Sequence, residues 1–530
     1  MKWEILGKDN EDIVKTLLKN RGIKNAKEFF DPTDPAKISI ESLGIKKSDV
    51  KKAIERIKKA KKNRESVVVY GDYDADGITA TAIMWEALHA FGLDVLPHIP
   101  DRFEEGYGLN SQSIENLKFK INNLKLIITV DNGIVAYEGI KKAEELGIDV
   151  IVIDHHTKGN KKNSALSIIH STLVSGSALA WFFAKEIGTK GGLELAAIGM
   201  IADQMPLVGI NRSIVKYGLE ELNKTKRPGL LALLRDAKAE DIGMYEVNYI
   251  IAPRINAMGR LAAGIDSLRL LCTKRENKAL ELSKLLSKTN LDRQKMVDET
   301  LKRAMILSKN NLDKLLVISH ESFHEGVIGL AAGKLVEEFY RPAIVLSKKE
   351  TKSKASARSI PGFNIIEAIR ETGLVLEGGG HPMAAGFSIE TKLINKFTKE
   401  INKIADKLLT EELLERKLRI DMNINFEEIN PELVEQIEDF NPTGLGNSTP
   451  TFVSRDVEVL DARTVGRESK HLKLKLKQGE HIFDSIYFGG GEMYSKLISG
   501  SKVDVAYQLE NNSWNGRKSL QIKVRDLKTN

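Results

Sequence analysis

Between residues 66 and 154, short continuous apolar runs alternate with segments of helical period. Ser66-Val67-Val68-Val69-Tyr70 reads as a buried strand, Ile78 to Ala90 as a helix and Leu124 to Val130 as a second strand. Tyr137 to Leu146 is helical again, and Asp149 to Ile153 is a third strand. Regular alternation of this kind predicts a parallel sheet covered by helices. From about Leu193 to Leu307 the pattern is mostly helical and closes in a long charged helix that starts near Lys278. A second α/β block begins at Lys314-Leu315-Leu316-Val317-Ile318 and runs to about Ile404, with strands near Ala343 to Leu346 and Ala385 to Ser388. A charged helical connector is expected from Ala405 to Arg419. Beyond it the period shifts to two: in Leu472-Lys473-Leu474-Lys475-Leu476-Lys477 the leucines and lysines face opposite sides, as in a small β-barrel or sandwich. The first 65 residues are lysine-rich, and Lys51 to Lys62 reads as a helix with a solvated basic face.

Composition narrows this picture only a little. A chain of 530 residues predicts three or four domains, and 42% hydrophobic with 29% charged residues describes a soluble globular protein. The net charge of +7 permits a polyanionic partner without requiring one. A single cysteine, Cys272, excludes intramolecular disulfides and cysteine-built zinc sites; it reads as core filler in a reducing cytoplasm. Met1-Lys2-Trp3-Glu4 shows no apolar signal-peptide core. The uncharged, serine-rich stretch Asn163 to Ala184 reads as strand, turn and helix start rather than a membrane span.

The chemistry collects at the strand ends. Gly71-Asp72-Tyr73-Asp74-Ala75-Asp76-Gly77 follows the first strand, Asp131-Asn132-Gly133 the second, and Asp154-His155-His156 the third. In an open parallel sheet these loops share one rim. Three aspartates in five residues repel one another unless a cation neutralises them. Mixed Asp/His ligation without cysteine suits Mn²⁺ or Mg²⁺. Taken singly, each piece is more simply an Asx turn or a surface histidine pair; three pieces on one rim are not.

These motifs resemble the DHH phosphoesterase superfamily. Asp154-His155-His156 is similar to its signature, Gly71 to Gly77 and Asp131-Asn132-Gly133-Ile134 to its first two motifs, and Ile201-Ala202-Asp203 with Asn211-Arg212 to a fourth. Further stretches resemble the RecJ family of single-strand-specific 5′→3′ DNA exonucleases: Arg102 to Leu109, Ala252 to Arg260, Gly326 to Gly329, Ser356 to Ser359, Gly379 to Gly386 and Trp514 to Arg517. The resemblance implies an α/β chain: an N-terminal helical cap (1–60), a parallel-sheet DHH domain (61–275), a connecting helix (276–310), a second α/β, DHH-associated domain (311–405) and a C-terminal OB-like β-barrel (415–530). It implies two Mn²⁺ (or Mg²⁺) ions held by Asp74, Asp76, Asp131, His155 and Asp203, with Asp131 bridging and Asp72 an outer or alternative ligand. Asp154 would orient a ligand histidine, and His156 would contact the scissile phosphate. Water is then the nucleophile, and neither a serine nor a cysteine is needed.

The resemblance implies substrate contacts from Arg102, Tyr107, Arg254, Asn256, Arg260, Ser356, Arg358 and His381, with Arg102 and Arg254 or Arg260 holding a 5′-terminal phosphate. Ser175-Gly176-Ser177 reads first as a helix cap and second as an anion site. Lys473, Lys475 and Lys477 would track phosphates, with Tyr487 or Trp514 as a stacking aromatic. The resemblance implies single-stranded DNA as substrate, roles in repair and recombination, a monomer, and a single-strand-binding protein and a RecQ-type helicase as partners. The sequence departs from the family at Ile169-His170-Ser171 and at Asn441 to Asn447. The rivals are an oligoribonucleotide or cyclic-dinucleotide phosphodiesterase, which would not need the β-barrel, and an inactive replication scaffold, which would not need the acidic rim.

Overall fold

The computed structural model describes residues 1–8, 11–106, 108–308, 313–514 and 517–529. The chain starts with strand β1 (Lys2–Ile5) and reaches its first α/β unit through helix α1 (Lys47–Asn63). α1 buries Val50, Ala53, Ile57 and Ala60 and leaves its lysines in water. Then come β2 (Ser66–Tyr70), α2 (Ala75–Ala90), β3 (Asp94–His98), α3 (Ser111–Lys120), β4 (Leu124–Val130), α4 (Tyr137–Glu145), β5 (Asp149–Asp154) and β6 (Ser167–His170). The strands pair in the order β3-β2-β4-β5-β6, all parallel. Their Val/Ile/Leu runs are continuous because both faces are covered. α2 and two later helices, α5 (Gly176–Glu186) and α6 (Leu193–Ala202), pack on one face, and α3 and α4 on the other.

The chain leaves β2 to lay β3 on one side, then crosses back to lay β4 on the other. Connections that diverge this way open a crevice at the C-terminal strand ends, here between β2 and β4. β3 carries Pro97 and only alternate burial, which hides it in the sequence. It is an edge strand, where proline is tolerated.

α7 (Gly209–Asn223) follows, and then residues 244–261 form one helical run. Met244–Glu246 and a π-turn at Val247–Ile251 lead directly into α8 (Ala252–Leu261). Pro253 has no N–H for the preceding turn, and the ladder widens there. The charged helix α9 (Glu276–Ser308) crosses to the second unit. That unit contains β7 (Leu316–His320), α10 (Ile328–Phe339), β8 (Ala343–Ser347), β9 (Lys352–Arg358), β10 (Glu377–His381), β11 (Ala384–Glu390) and α11 (Ile394–Leu408), with strand order β10-β11-β9-β8-β7.

The expected helical connector ends early. After Leu408 only a single turn at Glu411–Leu414 remains, and β12 (Lys417–Ile420) pairs in parallel with β1. Lys417-Leu418-Arg419-Ile420 has the period-two pattern, which its charges obscured. β13 (Met422–Asn423) leads into β14 (Phe452–Val465), β15 (His471–Gln478), β16 (His481–Tyr487), β17 (Lys502–Trp514) and β18 (Arg517–Thr529). The ring β14-β15-β16-β18-β17 closes back on β14, giving a five-stranded barrel. Leu472, Leu474 and Leu476 fill it, with Lys473, Lys475 and Lys477 on the outer face.

Residues 1–60 do not form a separate cap. Leu17, Leu18 and Phe29 belong to the barrel core, whereas Ile40, Leu43 and Val50 belong to the core of the first α/β unit. Arg212 of α7 holds the junction. Its Nε donates to the carbonyl of Phe29 (2.7 Å), Nη1 to those of Phe440 and Pro442 (3.0 and 3.2 Å), and Nη2 to those of Asp439 and Asn441 (2.9 and 2.8 Å). The guanidinium stacks on the Phe29 ring at 3.9 Å, and burial pulls its pKa down to about 10. Asn447 binds the same turn, donating to Phe440 and Pro442. This accounts for the unfamiliar 441–447 segment: it is the socket for Arg212. Among the described residues, no helix is long and apolar enough to cross a membrane.

Candidate metal centre

The crevice between β2 and β4 gathers the three acidic loops with the end of α6. His155 Nε2 lies 3.1 Å from Asp131 Oδ1, 3.8 Å from Asp203 Oδ2 and 3.9 Å from Asp76 Oδ2. Three overlapping groups have ligand atoms within 4.8 Å of one another: Asp131, His155 and His156; Asp76, His155 and Asp203; and Asp72, Asp74 and Asp131. Asp131 and His155 each belong to two of them. Asp131 sits in the left-handed region (φ 60°), which turns its carboxylate inward from the end of β4.

Backbone donors fix the loop. Asp74 Oδ1 caps α2 by accepting from Gly77 N (2.9 Å), and Asp72 Oδ1 accepts from Tyr73 N (2.8 Å). Asp76 accepts from the first amides of α5, Gly176 N (2.7 Å) and Ser177 N (3.1 Å). The 175–177 turn is therefore a helix cap whose anion is Asp76, held at a helix N-terminus. Two glycines make room for this approach. A Cβ on Gly176 would stand 2.4 Å from Asp131 Oδ1, and one on Gly199 2.3 Å from Asp76 Oδ1. The sequence placed Gly176 only in a helix cap and gave Gly199 no role; small residues on helices facing the acidic loops were the available signal.

Electrostatics define what the site takes. Burial, then the charge of Asp74, pushes Asp72 well above the usual carboxylate range; burial with Asp76, Asp74 and Asp72 does the same to Asp131. Asp74, open at the cleft mouth yet densely surrounded by protein, is raised by burial and Asp76. Burial, Asp76 and Asp74 push Asp203 up to about 8. Asp131 Oδ1 is buried and makes no hydrogen bond. Four repelling carboxylates around an unbonded buried oxygen, with an imidazole that burial keeps below its usual range, form a donor set that fits hard divalent cations.

His156 differs from His155. Its Nδ1 is 2.8 Å from Asp154 Oδ1, which also accepts from His156 N, while Asp154 Oδ2 accepts from Ile134 N. Burial opposes charge on His156, but the Asp154 hydrogen bond and charge, with Asp203 and Asp72, outweigh it and raise the ring to about 9. Asp154 thus orients His156 rather than the histidine among the converging carboxylates, and it is itself held low by that partner against the opposing effect of burial. His170 Nε2 lies 2.8 Å from the His156 carbonyl, so the departure at 169–171 braces the signature.

Beside this centre lies a cleft of about 390 Å³ where α8 meets the second unit; Arg102, Arg260, Arg358, Lys354, Ser356 and Gly378 are among its walls. Burial, then Arg102, Arg358 and Arg293, depresses Arg260 to about 10, and burial with Arg102 depresses Arg358. Nearby cations that repel one another mark a place for an anion. Arg358 Nη1 donates to Ser356 Oγ (3.2 Å), and Arg102 lies 5.4 Å over the Tyr73 ring. The other expected contacts fall elsewhere. Arg254 is tied to Ser287 Oγ and the Ile250 carbonyl, away from the cleft wall. Asn256 Oδ1 accepts from Ala75 N (2.7 Å) and so supports the acidic loop. His381 ends the exposed edge strand β10, outside the cleft lining. Tyr107 lies outside the described residues, as does the Trp514 side chain. Tyr487 is half-buried against the barrel core.

The chain matches the DHH family, N-terminal domain, over residues 66–203, the DHHA1 domain over 312–407 and the RecJ OB domain over 420–526. The single-stranded-DNA-specific exonuclease RecJ of Bacillus subtilis is 35% identical over 99% of this chain and 70% of that protein. The protein of the same name from Escherichia coli is 29% identical over 97% and 95%. RecJ of Thermus thermophilus in complex with Mn²⁺ superposes with a TM-score of 0.84 at 28% identity, covering 99% of this chain and 79% of that one. Its Mg²⁺ complex gives 0.76 at 26% identity, over 99% and 78%.

Proposed function

The chain belongs to the RecJ family of single-stranded-DNA-specific exonucleases, and from that premise we propose that it removes nucleotides from the 5′ end of single-stranded DNA. The observation that carries the reading is the pairing of a carboxylate–imidazole centre with an adjoining cleft into which three arginines converge. Asp74, Asp76, Asp131, His155 and Asp203 would hold two Mn²⁺ or Mg²⁺ ions, with Asp131 between them and Asp72 in reserve. When bound, such ions supply charge stabilisation to the attacking and leaving oxygens of phosphodiester hydrolysis. The chain's own residues do the rest. His156, whose ring Asp154 biases toward its charged form, would offer a proton-bearing nitrogen to the phosphate at the centre. Arg102, Arg260, Ser356 and Arg358 take the terminal 5′-phosphate, so that cleavage starts from that end.

The barrel with its basic face, and the intact acidic rim, disfavour a small-oligonucleotide phosphodiesterase and an inactive scaffold. We place the enzyme in the cytoplasm as a monomer acting in repair and recombination, beside a single-strand-binding protein and a RecQ-type helicase. The test is digestion of 5′- and 3′-labelled single strands with Mn²⁺, comparing 5′-phosphate with 5′-hydroxyl ends. Wild-type protein should release label first from the 5′ end, Asp131→Ala should be inactive, and Arg358→Ala should lose the preference for a 5′-phosphate. Release from the 3′ end, or full activity in Asp131→Ala, would overturn the reading.

A further inference from the structure

Tyr245 and Tyr249 take no part in any of this, yet they are the most conspicuous exposed aromatics near the centre. They are 63% and 66% exposed, on successive turns of the helical run 244–261, with ring centroids 4.9 Å apart and planes 32° apart. We propose that this pair is a stacking ledge for bases of the DNA strand on the 3′ side of the scissile phosphate; the inference rests on the exonuclease reading above.

The helix itself sets the order. Arg260 near its C-terminal end lines the arginine cleft. Asn256, one turn back, holds the acidic loop through Ala75 N. Tyr249 is eleven residues before Arg260, about 16 Å along the axis at 1.5 Å per residue. Cleft, metal centre and tyrosines therefore follow one another along one rigid element. A strand with its 5′-phosphate in the cleft and its scissile bond at the centre continues toward the tyrosines with its next nucleotides.

The surroundings agree. Asn248, between the two tyrosines, has its Oδ1 3.5 Å from Gln204 Nε2, and Gln204 follows Asp203. The ledge thus borders the centre. On its far side, Met244 lies near Gly444, and Leu207 N donates to the Leu445 carbonyl, so the path runs on toward the barrel. The intervening Glu246 has its carboxylate engaged by Gly243 N (2.8 Å). Stacking on such a ledge tolerates any base, because every base has a π-face.

The test measures binding in EDTA, where no strand is cut. Fluorescence anisotropy compares a 5′-phosphorylated 20-mer with a 5′-phosphorylated dinucleotide, which ends before the ledge. Tyr245→Ala/Tyr249→Ala should weaken the 20-mer by about tenfold or more and leave the dinucleotide unchanged. Tyr245→Phe/Tyr249→Phe should bind like wild type, and an abasic run at the nucleotides over the ledge should weaken wild type but not the double alanine variant. An unchanged 20-mer affinity, or equal loss for both ligands, overturns the ledge. Failure of the exonuclease reading shows differently, as wild-type protein that binds the 20-mer but does not digest it with Mn²⁺.

Discussion

Gly176→Ala adds one methyl group and removes no ligand. In a helix interior that exchange stabilises by about 1 kcal/mol, and near a first turn it should at least be harmless. The structure reverses the sign. The new Cβ would stand 2.4 Å from Asp131 Oδ1 and 2.6 Å from Asp131 Cβ. Ordinary contact begins near 3.4 Å, so the start of α5 and Asp131 must separate by roughly 1 Å. Neither yields freely: Asp131 is buried in a left-handed backbone conformation, and the first amides of α5 hold Asp76. A misplacement of about 1 Å at a reacting centre costs on the order of 100-fold in rate, and overpacking of this kind about 1–3 kcal/mol. Steady-state digestion of a 5′-phosphorylated single strand at saturating Mn²⁺ should show kcat down about 100-fold, and thermal unfolding should show a lower Tm. A variant within threefold of wild-type kcat and with a higher Tm would refute the argument that the helix start and the carboxylate share this space.

Gly199→Ala should act in the same direction through Asp76, whose Oδ1 the new methyl would approach to 2.3 Å; its Mn²⁺ affinity, read by calorimetry, should fall. In the chelated protein Asp203 binds its proton up to about pH 8, against about 4 when unfolded, so the folded form holds the extra proton between these values. Stability relative to Asp203→Asn should therefore fall as pH rises from about 4 to 8, and a flat difference across that range would contradict the assignment. Adding Mn²⁺ at 100 times its dissociation constant should raise unfolding stability by about 2.7 kcal/mol for each ion bound, and Asp131→Ala should remove most of that gain. Arg212→Met leaves the carbonyls of Phe29, Asp439 and Asn441 without a donor, while Asn447 still serves Phe440 and Pro442, and should cost about 3 kcal/mol, measured by denaturant unfolding.

The buried strands and the acidic rim were legible in the sequence because each obeys a local rule. Val67 to Tyr70 and Leu124 to Val130 are unbroken apolar runs, and Asp72 to Asp76 crowd charge that no isolated turn tolerates. What escaped reading depended on partners far away in the chain. Pro97 concealed an edge strand, and Gly378 to Gly380 form another with no β-favouring residue at all. Asn256 read as a substrate contact, but its partner is an amide 181 residues earlier, on the acidic loop. Arg212 read as part of a catalytic motif, yet its five acceptors lie on the N-terminal segment and the barrel-side turn. No period or spacing announces a socket assembled from two such distant stretches.

The parallel pairing of β1 with β12 also sets a schedule for assembly on the ribosome. Lys2–Ile5 find their partner only when Lys417–Ile420 emerge, and Leu17, Leu18 and Phe29 wait for the barrel strands that follow. At 5–20 residues per second, roughly 400 residues of synthesis leave the leading segment unpaired for about 20–80 s. The first α/β unit can close around its own core in that interval, so the catalytic rim should form well before the module that feeds it DNA.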